Sequence, residues 1–384
     1  MWGAAAAATI RTMSVRAALA VLLLCAPSAW PQSAPPAATS TRDGLDLSDR
    51  RHVRALHLDL VGRTPTPDEL ETVAAGQASP ETLARHLLRS REFWEQWYED
   101  ELFYFLLVDN ARPDDAAGPD SIPWRLADGK LDLCGAVTEI VSGAAFNRAN
   151  PGNDTFVSVV LEQLLGVDVQ RQPALLEAGK KLYDGKPATL YGESGDSQSD
   201  VVRIVVRQPA FERRLVERQY RRIVGRDATG KELERWAAAL REQPASFPDL
   251  VQEWVLSPAY AERLGTLRGK TDLQFIRGLY VDLTGEPPDP TDLRRLRGAL
   301  GTVADSGPLR AVIARSLLDR QAEELPKKAE LDPGAFVDES FLRFLGRPPS
   351  TAERAEFLAV FGEPDCQPAT LLRALVTHPE YQSY

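Results

Sequence analysis

One short phrase is written four times in this chain with a single internal spacing, and no other feature restricts the possible folds as strongly. It reads Leu56-His57-Leu58-Asp59-Leu60-Val61-Gly62-Arg63 running to Leu70, then Tyr220-Arg221-Arg222-Ile223-Val224-Gly225-Arg226 running to Leu233. It returns as Leu279-Tyr280-Val281-Asp282-Leu283-Thr284-Gly285-Glu286 running to Leu293, and as Phe341-Leu342-Arg343-Phe344-Leu345-Gly346-Arg347 running to Arg354. An acidic residue, Glu69, Glu232, Asp292 or Glu353, precedes the last position each time. Copies of one supersecondary unit predict a helical array, and such arrays more often bind than catalyse.

Each copy has a physical grammar. An apolar-periodic helix runs to the Gly, which can take the left-handed conformation that ends a helix. A turn follows, with Pro in Thr64-Pro65-Thr66-Pro67 and Glu286-Pro287-Pro288-Asp289-Pro290, and a polar residue caps the next helix. The acidic residue then falls in the first turn of that helix, where the macrodipole favours it. A second landmark closes several units: Ser90-Arg91-Glu92-Phe93, Gln208-Pro209-Ala210-Phe211, Ser257-Pro258-Ala259-Tyr260 and His378-Pro379-Glu380-Tyr381. A polar cap, mostly followed by Pro, and an aromatic anchor read as a further helix start. The expected unit is helix, turn, helix, capped helix.

The chain has 384 residues, of which 43% are hydrophobic, so two or more packed units with a sizeable core are expected. A net charge of −10 argues against nucleic acid, whose backbone needs a clustered basic surface. Arg213-Arg214 and Arg221-Arg222 are interleaved with Glu212 and Glu217 and read as an ion-paired helix face.

Residues 1–34 read as a signal peptide and leader, followed by a flexible linker over 35–45. Ala18 to Ala26 is a short apolar core, preceded by Met13-Ser14-Val15-Arg16, where a second candidate start lies. Ala26-Pro27-Ser28-Ala29 offers a cleavage site, and Pro31 to Ser40 is low-complexity. Cys25 would suit a lipoprotein, but Leu24 stands where that signal wants a small residue. Export to the periplasm or beyond is the expected location. No later run is long enough for a transmembrane helix. Of the other two cysteines, Cys134 and Cys366, the sequence leaves open a disulfide or two isolated thiols.

Beyond the leader, 46–169 reads as a helical domain and 170–200 as a polar loop region. Three repeat units follow over 201–266, 270–325 and 332–384. The polar stretch Ala111 to Pro123 breaks the first domain, and Tyr183 to Asp200 is rich in Gly, Ser and Asp. Val201-Val202-Arg203-Ile204-Val205-Val206 is β-prone, yet it precedes a capped start and reads as the apolar face of a helix.

These residues carry a resemblance. Arg54 to Pro67 resembles the opening of a helical domain of unknown function, family fifteen-forty-nine, associated with planctomycete cytochromes. Ser90 to Trp97 echoes that family's next phrase, and Phe146-Asn147, Asp154-Thr155-Phe156 and Glu162-Gln163-Leu164-Leu165-Gly166 look like its later elements. The resemblance covers about 52–166. It departs at Asp100-Glu101-Leu102-Phe103-Tyr104-Phe105, and repeats stand where the family has a partner domain. Those repeats are similar to helical modules of bacterial surface proteins and phycobilisome linkers, which implies adhesion or assembly. The first family implies a fold and a compartment, with an accessory to electron transfer as a third functional reading.

Candidate chemistry is sparse. Gly192-Glu193-Ser194-Gly195-Asp196 lacks the second Gly of a nucleophile elbow where Asp196 stands. Asp184, Glu193, Asp196 and Asp200 lack the regular spacing of a calcium loop, and Asn150-Pro151-Gly152-Asn153-Asp154 reads as a turn ending in a helix cap. His52 and His57, five apart, do not share a helical face as a zinc pair would. Asp59 and Asp282 could be perturbed acids, but Arg222 and Arg343 hold the equivalent positions, which suggests a solvent-facing or ion-pairing site. Neither catalytic residues, a metal nor a cofactor is assigned. The cluster Phe93, Trp94, Trp97, Tyr98, Phe103, Tyr104 and Phe105 is too dense for one helix face. If some rings reach the surface, Trp94, Trp97, Tyr98 and Tyr104 form the candidate binding patch, for a protein or for sugar rings.

The sequence therefore predicts an all-α array of helix-turn-helix repeats in two or more packed subdomains. Its expected role is an exported binding or scaffolding protein of the cell envelope. The expected partner is a protein, with glycan second and nucleic acid excluded. A glycan-acting hydrolase with paired carboxylates is the alternative.

Overall fold

A computed structural model describes residues 45–106, 118–321 and 324–384. The expected signal peptide, the lipidation question and most of the polar stretch after residue 110 lie outside the described residues. The fold is all-α, as the repeat grammar predicts. The first repeat comprises α1 (Arg50–Val61), α2 (Pro67–Ala74), α3 (Pro80–Leu88) and α4 (Arg91–Leu106). An intervening segment supplies α5 (Ile122–Ala127), α6 (Leu133–Ser142), α7 (Ala144–Ala149), α8 (Asn153–Leu165) and α9 (Pro173–Tyr183), then β1 (Ala188–Leu190), β2 (Glu193–Gly195) and α10 (Gln198–Val206). The second repeat is α11 (Pro209–Val224), α12 (Gly230–Glu242), α13 (Phe247–Val255) and α14 (Pro258–Arg263). The third is α15 (Asp272–Thr284), α16 (Pro290–Leu300) and α17 (Gly307–Arg320); the fourth is α18 (Pro333–Phe344), α19 (Thr351–Gly362) and α20 (Pro368–Val376). The first, second and fourth repeats, which end in a landmark, thus each hold one more helix before it than the sequence suggests.

The local chemistry is the expected one. Gly62, Gly225, Gly285 and Gly346 all have positive φ, between 69° and 85°, so each frees a backbone that an L side chain would strain. The acidic residue of the phrase closes a reciprocal capping box in three repeats, Thr66–Glu69, Thr229–Glu232 and Ser350–Glu353. In the third repeat Asp289 caps α16 through the amides of Thr291 and Asp292.

The 170–200 region needs correction. It holds a helix, α9, started by Pro173, and a hairpin in which Ala188 pairs with Gly195 and Leu190 with Glu193. The two-residue turn is Tyr191-Gly192, with φ of 48° and 83°. Positive φ at both positions is what a tight hairpin turn demands, and Tyr rarely adopts it, so the usual Asn-Gly signal is missing.

Two apolar cores form. One spans Leu45 to Tyr260 and joins repeats one and two with the intervening segment; the other spans Phe275 to Tyr381 and joins repeats three and four. α1 and α15 are buried nearly all round, from Val53 to Val61 and from Leu273 to Asp282. Gln274 of α15 donates to the Leu58 carbonyl, and Thr64, three residues past the end of α1, donates to the Gly278 carbonyl. The two cores therefore meet along these helices. Cys134 and Cys366 are both free thiols, one attached to each core. Among the described residues no helix is long and apolar enough to cross a membrane.

Candidate functional site

The predicted aromatic patch lies in the core. Trp94, Trp97 and Tyr98 are 9%, 0% and 6% exposed, so the premise that these rings reach the surface is corrected. Their helix is surrounded: Trp94 packs edge-on to Phe93 and Trp97, and Phe93 and Trp94 both lie against Phe247 of the second repeat. Tyr104 is partly buried, donating to the Gln163 carbonyl beneath the Arg218 guanidinium. Of this cluster only Phe103 is largely exposed.

Asp59 and Asp282 are ion-paired as expected, but buried, at 3% exposure each, rather than facing solvent. Asp282 receives a bidentate pair from Arg54 at 2.9 and 3.0 Å and the Tyr381 hydroxyl at 2.9 Å. Asp59 receives the Tyr260 hydroxyl at 2.8 Å, Arg268 at 2.6 Å and the Tyr384 hydroxyl at 3.0 Å. The two sites are copies: an Asp on the first helix of an odd repeat takes the landmark Tyr of the following even repeat. Each carboxylate is saturated with donors, which suits a structural joint better than acid–base chemistry.

Lys270 sits in the same seam at 5% exposure, without a hydrogen-bond acceptor for Nζ among the described residues. Its ammonium lies 3.8 Å from the centroid of the Tyr381 ring. Burial, reinforced by Arg54 and Arg310 and opposed by Asp282, pushes it down to about 7. The folded value lies below the unfolded one, so the unfolded chain holds the extra proton above about pH 7, and stability rises with pH from there towards 10. Lys270→Met is expected to stabilise the fold by roughly 2 kcal/mol at pH 6 and far less near pH 10. Urea melts at both pH values test this, and equal gains would remove the buried-charge explanation.

The remaining predicted groups are satisfied locally. Glu193 and Asp200 pair with Arg203, Asp184 accepts from Asn153, and Ser194 sits in β2 opposite Thr189. Among the described residues no cluster of His, Cys, Asp and Glu could hold a metal ion. His57 is buried, with Nδ1 2.8 Å from the Val53 carbonyl and Nε2 3.5 Å from Glu69. The arginine runs are ion-paired: Arg213 with Glu234, Arg214 with Glu217, and Arg222 with Asp100.

The feature that sequence reasoning missed is a clamp built from the Arg after the repeat Gly. Arg63 grips Glu69 through Nη1 and Nη2 at 2.7 and 3.0 Å, and Glu92 through Nε and Nη2, both at 2.8 Å. Arg347 grips Glu353 at 2.9 and 2.8 Å and Glu380 at 2.7 and 2.6 Å through the same atoms. Two bidentate carboxylates and the carbonyl of the next residue, Thr64 or Pro348, take the five N–H donors of each guanidinium. Arg347 draws the Glu353 carboxyl down to about 2, against the effect of burial. In the third repeat Glu286 replaces the Arg, and Asp292 pairs with Arg295 and Arg320 instead.

The second repeat has the Arg but only one carboxylate. Arg226 reaches the Asp227 carbonyl at 2.8 Å and Glu232 at 3.4 Å, both through its Nη atoms. The landmark position that supplies Glu92 and Glu380 is Ala259 here. A cleft of about 460 Å³ lies at this place, lined by Arg226, Glu232, Ala259 and Glu262 over Tyr220, Trp236 and Trp254. The three rings pack on one another at 4.9 to 5.5 Å and are almost wholly buried, so they form a floor rather than an open cage. Every residue of the clamp stands inside the repeated phrases; comparing the copies for what accompanies the Arg would have found it. No protein-family model, curated protein or solved structure matches the chain.

Proposed function

We propose that this chain is an exported helical binding or scaffolding protein of the cell envelope that engages a protein partner through the cleft of its second repeat. The single observation behind the reading is that one copy of a clamp closed in two other repeats is left open, at a cleft with an aromatic floor and a charged rim. A concave site with a few convergent polar groups is where a repeat array is expected to bind. The leader and the resemblance of residues 52–166 to a cytochrome-associated helical domain support the envelope assignment.

Site-specific photo-cross-linking tests it. A photoreactive residue at Pro258, exposed on the cleft rim, is expected to trap one stoichiometric protein from the native envelope. The same group at Val312, 60% exposed and in the third repeat, is expected not to. Capture competed away by the purified unmodified chain would support the reading. Equal trapping at both positions, or glycan trapped in place of protein, would overturn it.

A further inference from the structure

We infer that the cleft of the second repeat takes up a carboxylate side chain from a partner polypeptide, docked on the open edge of Arg226. The inference rests on the binding reading above and gives it a ligand chemistry. In the first and fourth repeats the Nε–Nη2 edge of the clamp Arg holds a carboxylate in a planar, two-bond grip, at 2.8 Å throughout for Glu92 and at 2.7 and 2.6 Å for Glu380. Arg226 is presented by the same Gly-Arg turn, yet its Nε makes no hydrogen bond among the described residues and its side chain is 43% exposed. The missing partner is deleted by a single residue: Ala259 follows Pro258 as Glu380 follows Pro379, in the first turn of the capped helix. The edge built to grip a second carboxylate therefore faces a cleft instead.

The rim selects which carboxylate fits. Glu232 is committed to its capping box, and Glu253 pairs with Arg235 and accepts the Trp236 indole N–H. Glu262 is exposed at the rim with no ion-pair partner of its own among the described residues. It repels a second negative charge, so a phosphate dianion or a run of acidic residues is disfavoured. A Glu or Asp followed by Lys or Arg matches both Arg226 and Glu262. The guanidinium fork matches a planar carboxylate in a way an ammonium cannot.

The full chain, titrated with the blocked peptide Ala-Glu-Lys-Ala, its Gln counterpart and sodium acetate, tests this. The readout is the Arg226 Nε–H resonance, assigned by its loss in Arg226→Lys. The Glu peptide is expected to shift that resonance saturably, and both controls to be about tenfold weaker. Ala259→Glu restores the clamp inside the chain, so its Arg226 resonance is expected to be shifted already and to ignore the peptide. Its thermal midpoint is also expected to rise. An equal response to the Gln peptide, or an undiminished response in Ala259→Glu, would overturn the carboxylate site. An equal response to acetate would overturn the polypeptide source. Cross-linking at position 258 that survives Ala259→Glu would sink this inference and leave the binding reading standing. A responsive Arg226 with no captured partner would do the reverse.

Discussion

Asp282→Ala is expected to destabilise the protein by about 3–5 kcal/mol, because it strands the Arg54 guanidinium in the interior. Arg54 and Asp282 have side-chain exposures of 7% and 3%, and their pair joins α1 to α15 across 228 residues of chain. The Tyr381 hydroxyl loses its acceptor in the same step. Burying either charge is costly, so the pair itself adds little net stability; removing one member is what costs. The double variant Arg54→Met, Asp282→Ala is accordingly expected to recover much of the loss. Asp59→Ala is expected to cost less, since its partner Arg268 keeps a quarter of its side chain in solvent. Urea unfolding of the four proteins measures these differences. A loss under about 1 kcal/mol in Asp282→Ala would mean that the Arg54 charge finds water or another acceptor.

Trp97→Ala carries the second large effect, expected at about 3–5 kcal/mol from lost burial and the cavity left behind. The ring is wholly buried and meets Trp94 edge to face at 6.1 Å. Its indole N–H has no hydrogen-bond partner among the described residues, so Trp97→Phe keeps most of the packing and removes an unsatisfied donor. That variant is expected to lose less than about half as much. Denaturation monitored by circular dichroism separates the two. A Trp97→Ala protein as stable as its parent would refute the packing, whereas loss of partner capture in that variant would report a weakened fold rather than a lost contact.

The same ring explains where sequence reasoning reached its limit. Seven aromatic residues within 93–105 exceed what one helix face can bury, and that density suggests exposure. α4 is instead covered on several sides, by α1 and α3 of its own repeat and by Phe247 of another. Periodicity reports how many faces are apolar and is silent on how many neighbours arrive. The hairpin at 188–195 was hidden for a different reason, a Tyr in a conformation that Asn or Gly usually takes.

The cleft was legible in its parts. Arg226, Glu232 and Ala259 all lie in the repeated phrases, and the Glu-to-Ala change between landmarks is visible by eye. Their convergence was not visible, because Ala259 comes 33 positions after Arg226 and meets it only once the repeat has closed on itself.

By itself the sequence determined the helical repeat, its left-handed glycine stops and its capping boxes, since these act over three or four residues and need no distant partner. Only the tertiary structure decided that repeats pair as one with two and three with four. Asp59 meets Tyr260 across 201 residues and Asp282 meets Tyr381 across 99. Neither contact leaves a local trace, because a buried carboxylate takes its donors from whichever helices the packing brings to it.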